Sequence, residues 1–372
     1  VSKWKNREEN KDIAKSVISS KSTEDLRESK KFIEGLLNLR KSEKLEKTYI
    51  QGTKSAIEYN GLDKVYVDFR FDGTATGRLS CAAYSAKEDM GVSFHTLPRE
   101  TENNIRSIFV APKDQAFITV DYAAMELRVL AHIAKEKVMQ KAFIDGADLH
   151  TYTAELLFNK KKISKDERQI AKTVSFLIVY GGGAFNLSET MNIPLKRAEK
   201  IIQNYQKVYP GIFSYMEFVS RFIMENRYAY TIFGRRRNLI DVTSKEQSVV
   251  NRALRQGLNF TIQSTASDIL LCGMLGCCNE FRNNSLKARP VATVHDSLEV
   301  VCPYDEVEKT LEIIHDQMVN VPIIKDTFNI NFSVPFKIDA EVGHSFGDGK
   351  EVHFENGKPT NMTEILGYLN EG

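Results

Sequence analysis

The sequence predicts an α+β fold, and three observations carry that prediction. Short runs with strand period lie at 65–71, at 115–121 and on both sides of residue 295. A long stretch of mostly helical period, 148–262, separates the second run from the third. The runs flanking residue 295 have almost no chain between them, so they read as a hairpin. The run ending at residue 121 and the runs flanking residue 295 therefore belong to one sheet-based lobe, and the helical stretch is an insertion into it.

Residues 1–57 are charged and helical in pattern, with Ile33, Leu36, Leu37 and Leu39 ahead of Leu45 and Ile50. They fit long surface helices or a solvent-exposed arm. VYVDFRF at 65–71 alternates with a period of two and runs into the turn-like DGTATG. QAFITVD at 115–121 reads as a short buried strand ending at Asp121, with helical periodicity from about Ala124 to Phe143. TYTAELLF, DERQIAKTVSFLIVY and LKRAEKIIQNYQKVY are the clearest helices of the insertion, the last ending near Pro210 and Gly211. IQSTASDILLCGMLGCCNEF at 262–281 reads as an apolar helix packed beneath the sheet. ARPVATVH and SLEVVCP form the hairpin, with His295 and Asp296 at its tip. A helix at about 304–319 and a strand at about 332–342 complete the unit, and 346–372 reads as a tail with a short terminal helix.

A chain of 372 residues exceeds one small core and predicts one large or several coupled lobes. Apolar residues at 42% and charged residues at 27% place it among ordinary globular proteins. With 51 Lys and Arg against 49 Asp and Glu, overall charge does not argue for an anionic partner. Local basic patches do: Arg235, Arg236 and Arg237, the pair Arg168 and Lys172, and the Lys-rich first sixty residues. The five cysteines show neither zinc spacing nor a disulfide framework, which predicts a reducing, intracellular compartment. No apolar run reaches membrane-spanning length and no signal peptide opens the chain, so no membrane partner is expected. A start at Val1 suggests a processed or excised fragment.

Asp121 at a strand end and Asp296 at a hairpin tip are places where a carboxylate leaves the core while its backbone is held. If the two meet, they can bridge a pair of Mg²⁺ ions about 3.5 to 4 Å apart, the arrangement that activates a hydroxyl and stabilises a leaving pyrophosphate. Spacing alone equally allows two unrelated surface aspartates. Arg168, Lys172, Phe176 and Tyr180 recur every fourth residue and form one stripe. Cations at one end and rings at the other suit a nucleotide, although an amphipathic helix with buried rings and snorkelling cations fits the same pattern. Gly181 to Gly183 let the chain leave that helix sharply, and no Walker loop follows.

These segments resemble those of family A DNA polymerases, the group of bacterial polymerase I and its phage and organellar relatives. DYAAMELRVLAHIA is similar to the first carboxylate motif, RQIAKTVSFLIVYG to the nucleotide-binding fingers helix and VHDSLEV to the second carboxylate motif; TATGRLS, FGRRR and the Gln263 to Asp268 run also look like family segments, and together they span roughly 40–345. The resemblance implies a right-hand polymerase fold: an antiparallel-sheet palm, mostly helical fingers and a reduced helical thumb. The implied division is 1–60 thumb or reduced N-terminal helical region, 61–147 first palm part, 148–262 fingers, 263–345 second palm part and 346–372 C-terminal extension.

It also implies roles. Asp121 and Asp296 would hold two Mg²⁺ ions, with Mn²⁺ able to substitute in vitro and the Tyr122 carbonyl as a further ligand. Arg168, Lys172 and His150 would hold the triphosphate, and Lys172 would protonate the leaving group. Phe176 would pack on the deoxyribose, Tyr180 would guard the templating position, and Glu126 would exclude a 2′-hydroxyl. Arg78, Arg255, Gln263 and His295 would contact the primer end and nascent pair, and Arg235, Arg236 and Arg237 the phosphates. The implied partners are primer–template DNA, a dNTP and a separate exonuclease, processivity or helicase subunit. The implied location is inside a cell: a viral host's cytoplasm, or an organelle matrix or stroma.

The sequence also departs from the family pattern. Ser297 stands where a Glu is usual, Ala123 and Ala124 replace a polar pair, Leu177 replaces a frequent Gly, and SFHTLP at 93–98 matches its family segment loosely. Nothing in the chain supplies the carboxylates of a proofreading exonuclease, and the short thumb predicts low processivity. Two alternatives remain at this stage, a related single-subunit RNA polymerase and a degenerate DNA-binding accessory subunit.

Overall fold

The computed structural model describes residues 23–83, 91–98 and 104–371. The chain divides into two compact units, Val1–Asp68 with Ala82–Ser93, and Phe69–Cys81 with Phe94–Gly372. In the first, α1 (Thr23–Lys44) passes through a π-helical turn, Leu45–Ile50, into α2 (Gln51–Asn60), which ends on Gly61 in the left-handed region. The helices expected in the first sixty residues are thus present from Thr23, and residues 1–22 lie outside the described residues.

The short strands β1 (Val67–Arg70) and β2 (Ser80–Ala83) are followed, within the second unit, by β3 (Gln115–Tyr122). Seven helices follow it: α3 (Met125–Ile133), α4 (Lys137–Ile144), α5 (Leu149–Phe158), α6 (Lys165–Val179), α7 (Ala184–Met191), α8 (Leu195–Val208) and α9 (Pro210–Asn226). A small ribbon, β4 (Tyr228–Tyr230) with β5 (Arg236–Asn238), leads to the long helix α10 (Gln247–Asn283). The hairpin β6 (Arg289–Val294) and β7 (Ser297–Pro303) comes next, then α11 (Val307–His315), α12 (Pro322–Phe328) and β8 (Ile338–Ser345). β9 (Asp348–Val352), the pair β10 (Phe354–Glu355) and β11 (Lys358–Pro359), and α13 (Met362–Glu371) close the chain.

The central sheet has five antiparallel strands in the order β6-β7-β3-β8-β9. The α+β class holds, and the helices between β3 and β6 are inserted into the sheet's sequence. β3 is central and its two faces differ. Ala116, Ile118, Val120 and Tyr122 turn to the core with Leu298, Val300, Ala340 and Val342, all buried. By strand alternation the other face carries Thr119 and Asp121, flanked by their cross-strand partners Glu299 and Ser297 on β7 and Glu341 and Asp339 on β8. Burial of one face therefore fixes the register that lines up the acids on the other.

Several boundaries differ from expectation. The helix expected over 124–143 is two, because Lys135 takes a positive φ of 50° and the chain turns there before Glu136 caps α4. The apolar helix expected at 262–281 begins at Gln247; its first half is polar on its exposed side, which hid it. The helix expected at 304–319 is α-helical only over Val307–His315 before a π turn at Asp316–Asn320. The strand expected at 332–342 starts at Ile338, after a segment broken by Pro335. The expected tail is built structure: β9 extends the sheet, and α13 buries Ile365 and Leu369. No helix among the described residues is long and apolar enough to cross a membrane.

Candidate active site

All the site residues named from the sequence lie in the second unit. Asp121 is the penultimate residue of β3 and sits opposite Ser297, the first residue of β7. Asp296 is therefore its neighbour across the strand end, and the Tyr122 N–H donates to the Asp296 carbonyl at 3.4 Å. The hairpin turn is only His295 and Asp296, with Val294 paired to Ser297. His295 adopts φ of 61°, a conformation that an L-residue reaches at a cost, so the surrounding structure holds this tip in place. At the other end, the buried Tyr122 hydroxyl donates to the Met318 carbonyl at 2.7 Å and anchors the strand terminus. Arg128 fixes the next peptide by donating to the Ala123 carbonyl at 2.8 Å, its guanidinium 4.4 Å from the Phe143 ring.

Glu126 follows on the first turn of α3 and is 5% exposed. Its carboxylate accepts from Arg78 at 3.0 Å, from the Tyr180 hydroxyl at 3.0 Å and from Gln263 at 3.4 Å. Burial raises its pKa, the Arg78 charge opposes that, and the nearby Asp296 adds to it. The Tyr180 hydroxyl is in turn pushed up to about 12 by burial and by the Glu126 charge. Arg78 also donates to Asp296 at 2.9 Å, so one guanidinium joins Glu126 to Asp296. Three residues far apart in sequence, Arg78, Tyr180 and Gln263, thus converge on one carboxylate.

α6 supplies the basic wall. Its start is set by a capping box in which Ser164 and Glu167 bond each other's backbone N–H. Ile170, Ala171, Val174, Ile178 and Val179 face the core, which leaves the Arg168–Lys172–Phe176–Tyr180 stripe toward the open side. A groove of about 640 Å³ runs along that side, lined by Lys172, Phe176, Tyr180, Gly181 and Arg255 among others. Gly181 has φ of 68°, and a Cβ there would come within 2.8 Å of the Arg255 side chain, so this close approach needs glycine. Leu177 packs over Gly182 and accepts its N–H through the carbonyl at 2.8 Å.

Arg168 is paired with Asp148, the N-cap of α5, through contacts of 2.7 and 3.1 Å. Burial pushes the Asp148 carboxyl up, but the bonds from Arg168 and Thr151 together outweigh it and hold it at about 2. His150 lies in the first turn of α5 with its ring 5.9 Å from Phe176, and burial lowers its pKa. Its Nδ1 is buried without a hydrogen-bond partner among the described residues, a donor or acceptor in want of a ligand.

The three consecutive arginines diverge. Arg235 grips Asp268 with contacts of 2.6 and 3.2 Å, Arg236 lies 3.7 Å over the Tyr228 ring, and Arg237 donates to Gln256 at 3.2 Å. Four residues were not singled out from the sequence. Asp148 and Asp339 needed the fold to be placed beside Arg168 and Asp121. His95 bonds the Thr293 carbonyl at 2.9 Å and lies 5.6 Å from the His295 ring, although its segment is the loosest family match. Glu299, beside the second motif, is buried.

The family model for DNA polymerase family A matches residues 2–348. This chain belongs to DNA polymerase family A. DNA polymerase I of Geobacillus stearothermophilus is 32% identical over 324 residues, 86% of this chain and 35% of that protein. DNA polymerase I of Treponema pallidum is 33% identical over 322 residues, 85% of this chain and 30% of its own length. The chain thus spans about a third of the curated family A relatives it matches. Among solved structures, the POL domain of Pol1 from M. smegmatis, in complex with DNA primer-template and dNTP, superposes with a TM-score of 0.77 at 25% identity, over 86% of this chain and 54% of that one. The α+β architecture is that of the family A polymerase fold, and residues 349–372, with most of β9 and all of α13, lie beyond the family match.

Among the described residues, no group of three or more His, Cys, Asp or Glu side chains makes a closed metal cage. Asp121, Asp296 and the Tyr122 backbone lie next to one another at one strand end and offer hard oxygen donors. Oxygen donors of this kind suit a hard divalent cation such as Mg²⁺.

Proposed function

We propose that this chain carries out template-directed DNA synthesis, transferring nucleotides from dNTPs to a primer 3′-hydroxyl with release of pyrophosphate. The observation that supports it most is the convergence of Arg78, Tyr180 and Gln263 on buried Glu126, which Arg78 also joins to Asp296. Asp121, Asp296 and the Tyr122 carbonyl would hold divalent metal, which would supply Lewis-acid activation of the hydroxyl and charge relief on the triphosphate.

The rest falls to the chain's own side chains. Lys172 and Arg168 bind the triphosphate, with Asp148 keeping the Arg168 fork oriented until phosphate competes for it. His150 offers its unpartnered nitrogen to the same phosphates. Lys172 donates a proton to the departing pyrophosphate. Phe176 supports the sugar, and Glu126, locked by three donors, leaves a 2′-hydroxyl no place without displacing one of them. Arg78 and Gln263 reach minor-groove acceptors common to all correct pairs, which tests pair geometry without reading sequence.

In this reading residues 148–262 are fingers, 61–147 and 263–345 the palm, and 1–60 a reduced thumb. Primer–template DNA and a dNTP are the ligands, Arg255 and His295 face the nascent pair, and Arg235 to Arg237 act around its phosphates. Glu126 also disfavours the RNA polymerase alternative. Extension of a labelled primer on a defined template with dNTPs and rNTPs in parallel tests this. Mg²⁺-dependent extension with dNTPs, and little with rNTPs, is the expected result. DNA binding without extension would point to an accessory subunit.

A further inference from the structure

Glu299 is an acid where burial of charge is costly. It is 1% exposed in the central strand pairing, opposite Thr119 of β3. Its Oε2 accepts from the Thr119 hydroxyl at 2.6 Å, and its Oε1 lies 2.7 Å from the Ser297 hydroxyl. That Ser297 oxygen is also 3.0 Å from the Val294 carbonyl, across the two-residue turn that carries Asp296. Thr119 is two residues before Asp121, and Ser297 directly follows Asp296. The three side chains therefore tie the strand of one proposed metal ligand to the turn of the other.

Proton counting says which form of the acid does this. A hydroxyl has one proton, and Ser297 has two acceptors within reach, Glu299 and the Val294 carbonyl. With Glu299 ionised, one of those contacts goes unmade. With Glu299 neutral, an unbroken chain forms: Thr119 donates to Oε2, the Glu299 hydroxyl donates to Ser297, and Ser297 donates to Val294. Burial favours that form, raising the pKa to about 7 against the hydrogen bonds from Thr119 and Ser297.

We infer that Glu299 is a positioning residue, which in its neutral form clamps the His295–Asp296 turn to the Asp121 strand through Ser297 and Thr119. The Glu that family members usually carry at 297 is here a serine, and its hydroxyl points into this clamp. The inference rests on the polymerase reading above, because it concerns the placement of Asp296 relative to Asp121.

The experiment uses the full chain and four variants. Glu299→Gln can accept from Thr119 and donate to Ser297, so it reproduces the neutral acid; Glu299→Val and Ser297→Ala each break the clamp. The expected result is Gln within about twofold of wild type, and Val and Ala each roughly tenfold down in kcat with KM for dNTP little changed. The Mn²⁺ concentration that half-saturates the protein without DNA or nucleotide, read by electron paramagnetic resonance, should rise severalfold in Val and Ala but not in Gln. The double variant Ser297→Ala with Glu299→Val should be no worse than Glu299→Val alone, because one clamp is lost once.

Wild-type kcat and Mn²⁺ affinity in folded Glu299→Val would overturn the inference, as would a Gln variant as impaired as Val. If Glu299→Val does not fold, the small Ser297→Ala change decides by the same readings. Asp121→Asn, run in parallel, separates the two levels. If the wild type does not extend the primer, the polymerase reading fails; if the wild type extends and Asp121→Asn is inactive while the clamp variants are normal, only the clamp fails.

Discussion

Glu126 shows how much one side chain depends on its neighbours. Its three donors come from a loop, from the end of α6 and from the middle of α10, and they leave it a fixed acceptor beside Asp296. Glu126→Ala is therefore expected to raise incorporation of ribonucleotides relative to deoxyribonucleotides by about a hundredfold, measured by paired single-nucleotide extension. An unchanged ratio would remove Glu126 from the role of sugar gate. Glu299 gives a stability prediction with a definite sign. Its folded pKa, about 7, is raised above its ordinary carboxylate value by burial, with Arg106 and Asp121 the charges acting on it. The folded state thus holds a proton that the unfolded state releases first. Stability from this group is fully present below the ordinary carboxylate range and is lost as pH rises toward 7, on the order of 3 kcal/mol in total. Glu299→Gln should flatten that part of the profile, so denaturant melts at pH 5 and pH 8 should differ less in the variant than in wild type.

At the scale of elements, α6 and the hairpin were legible in the sequence because each follows a local rule. A stripe every fourth residue lies on one helical face, and two strand-period runs with two residues between them make a tight turn. Ser164→Ala removes one half of the α6 capping box and should cost about 1 kcal/mol in denaturant unfolding. What escaped was set by tertiary context. The break at Lys135 has no Pro or Gly to announce it, and the polar first half of α10 carries no amphipathic signal over its whole length. The partners of Arg235, Arg236 and Arg237 are equally invisible in a run of three identical residues. β9 was missed because its residues are exposed and charged, as suits an edge strand. Its contact with β8 is close: a Cβ at Gly343 would fall 1.7 Å from the Asp348 carbonyl oxygen. Gly343→Ala should separate β9 from β8 and destabilise by roughly 2 kcal/mol, visible as faster amide exchange over 348–352.

The whole molecule places its chemistry where a one-sided sheet allows it. One face of the sheet is buried under helices, and the other brings Asp121, Asp339, Ser297 and Glu299 into adjacent rows. The class of fold and the order of its motifs were readable because the acids mark strand ends and the helical insertion between them is long. The pairing of the two acids was not, since only register across β3 and β7 establishes it. A largely apolar cavity of about 540 Å³, lined by residues such as Tyr215, Phe218, Phe222 and Tyr230, contains none of the acids or arginines of this site. The central claim is that Asp121 and Asp296 together make the catalytic centre of a DNA polymerase. The most direct measurement is single-turnover dNTP incorporation on a primer–template by Asp121→Asn and Asp296→Asn, with DNA affinity measured on the same samples. Each variant should lose at least about a thousandfold in rate while binding DNA within a few fold of wild type. Incorporation at the wild-type rate by either variant would contradict the account.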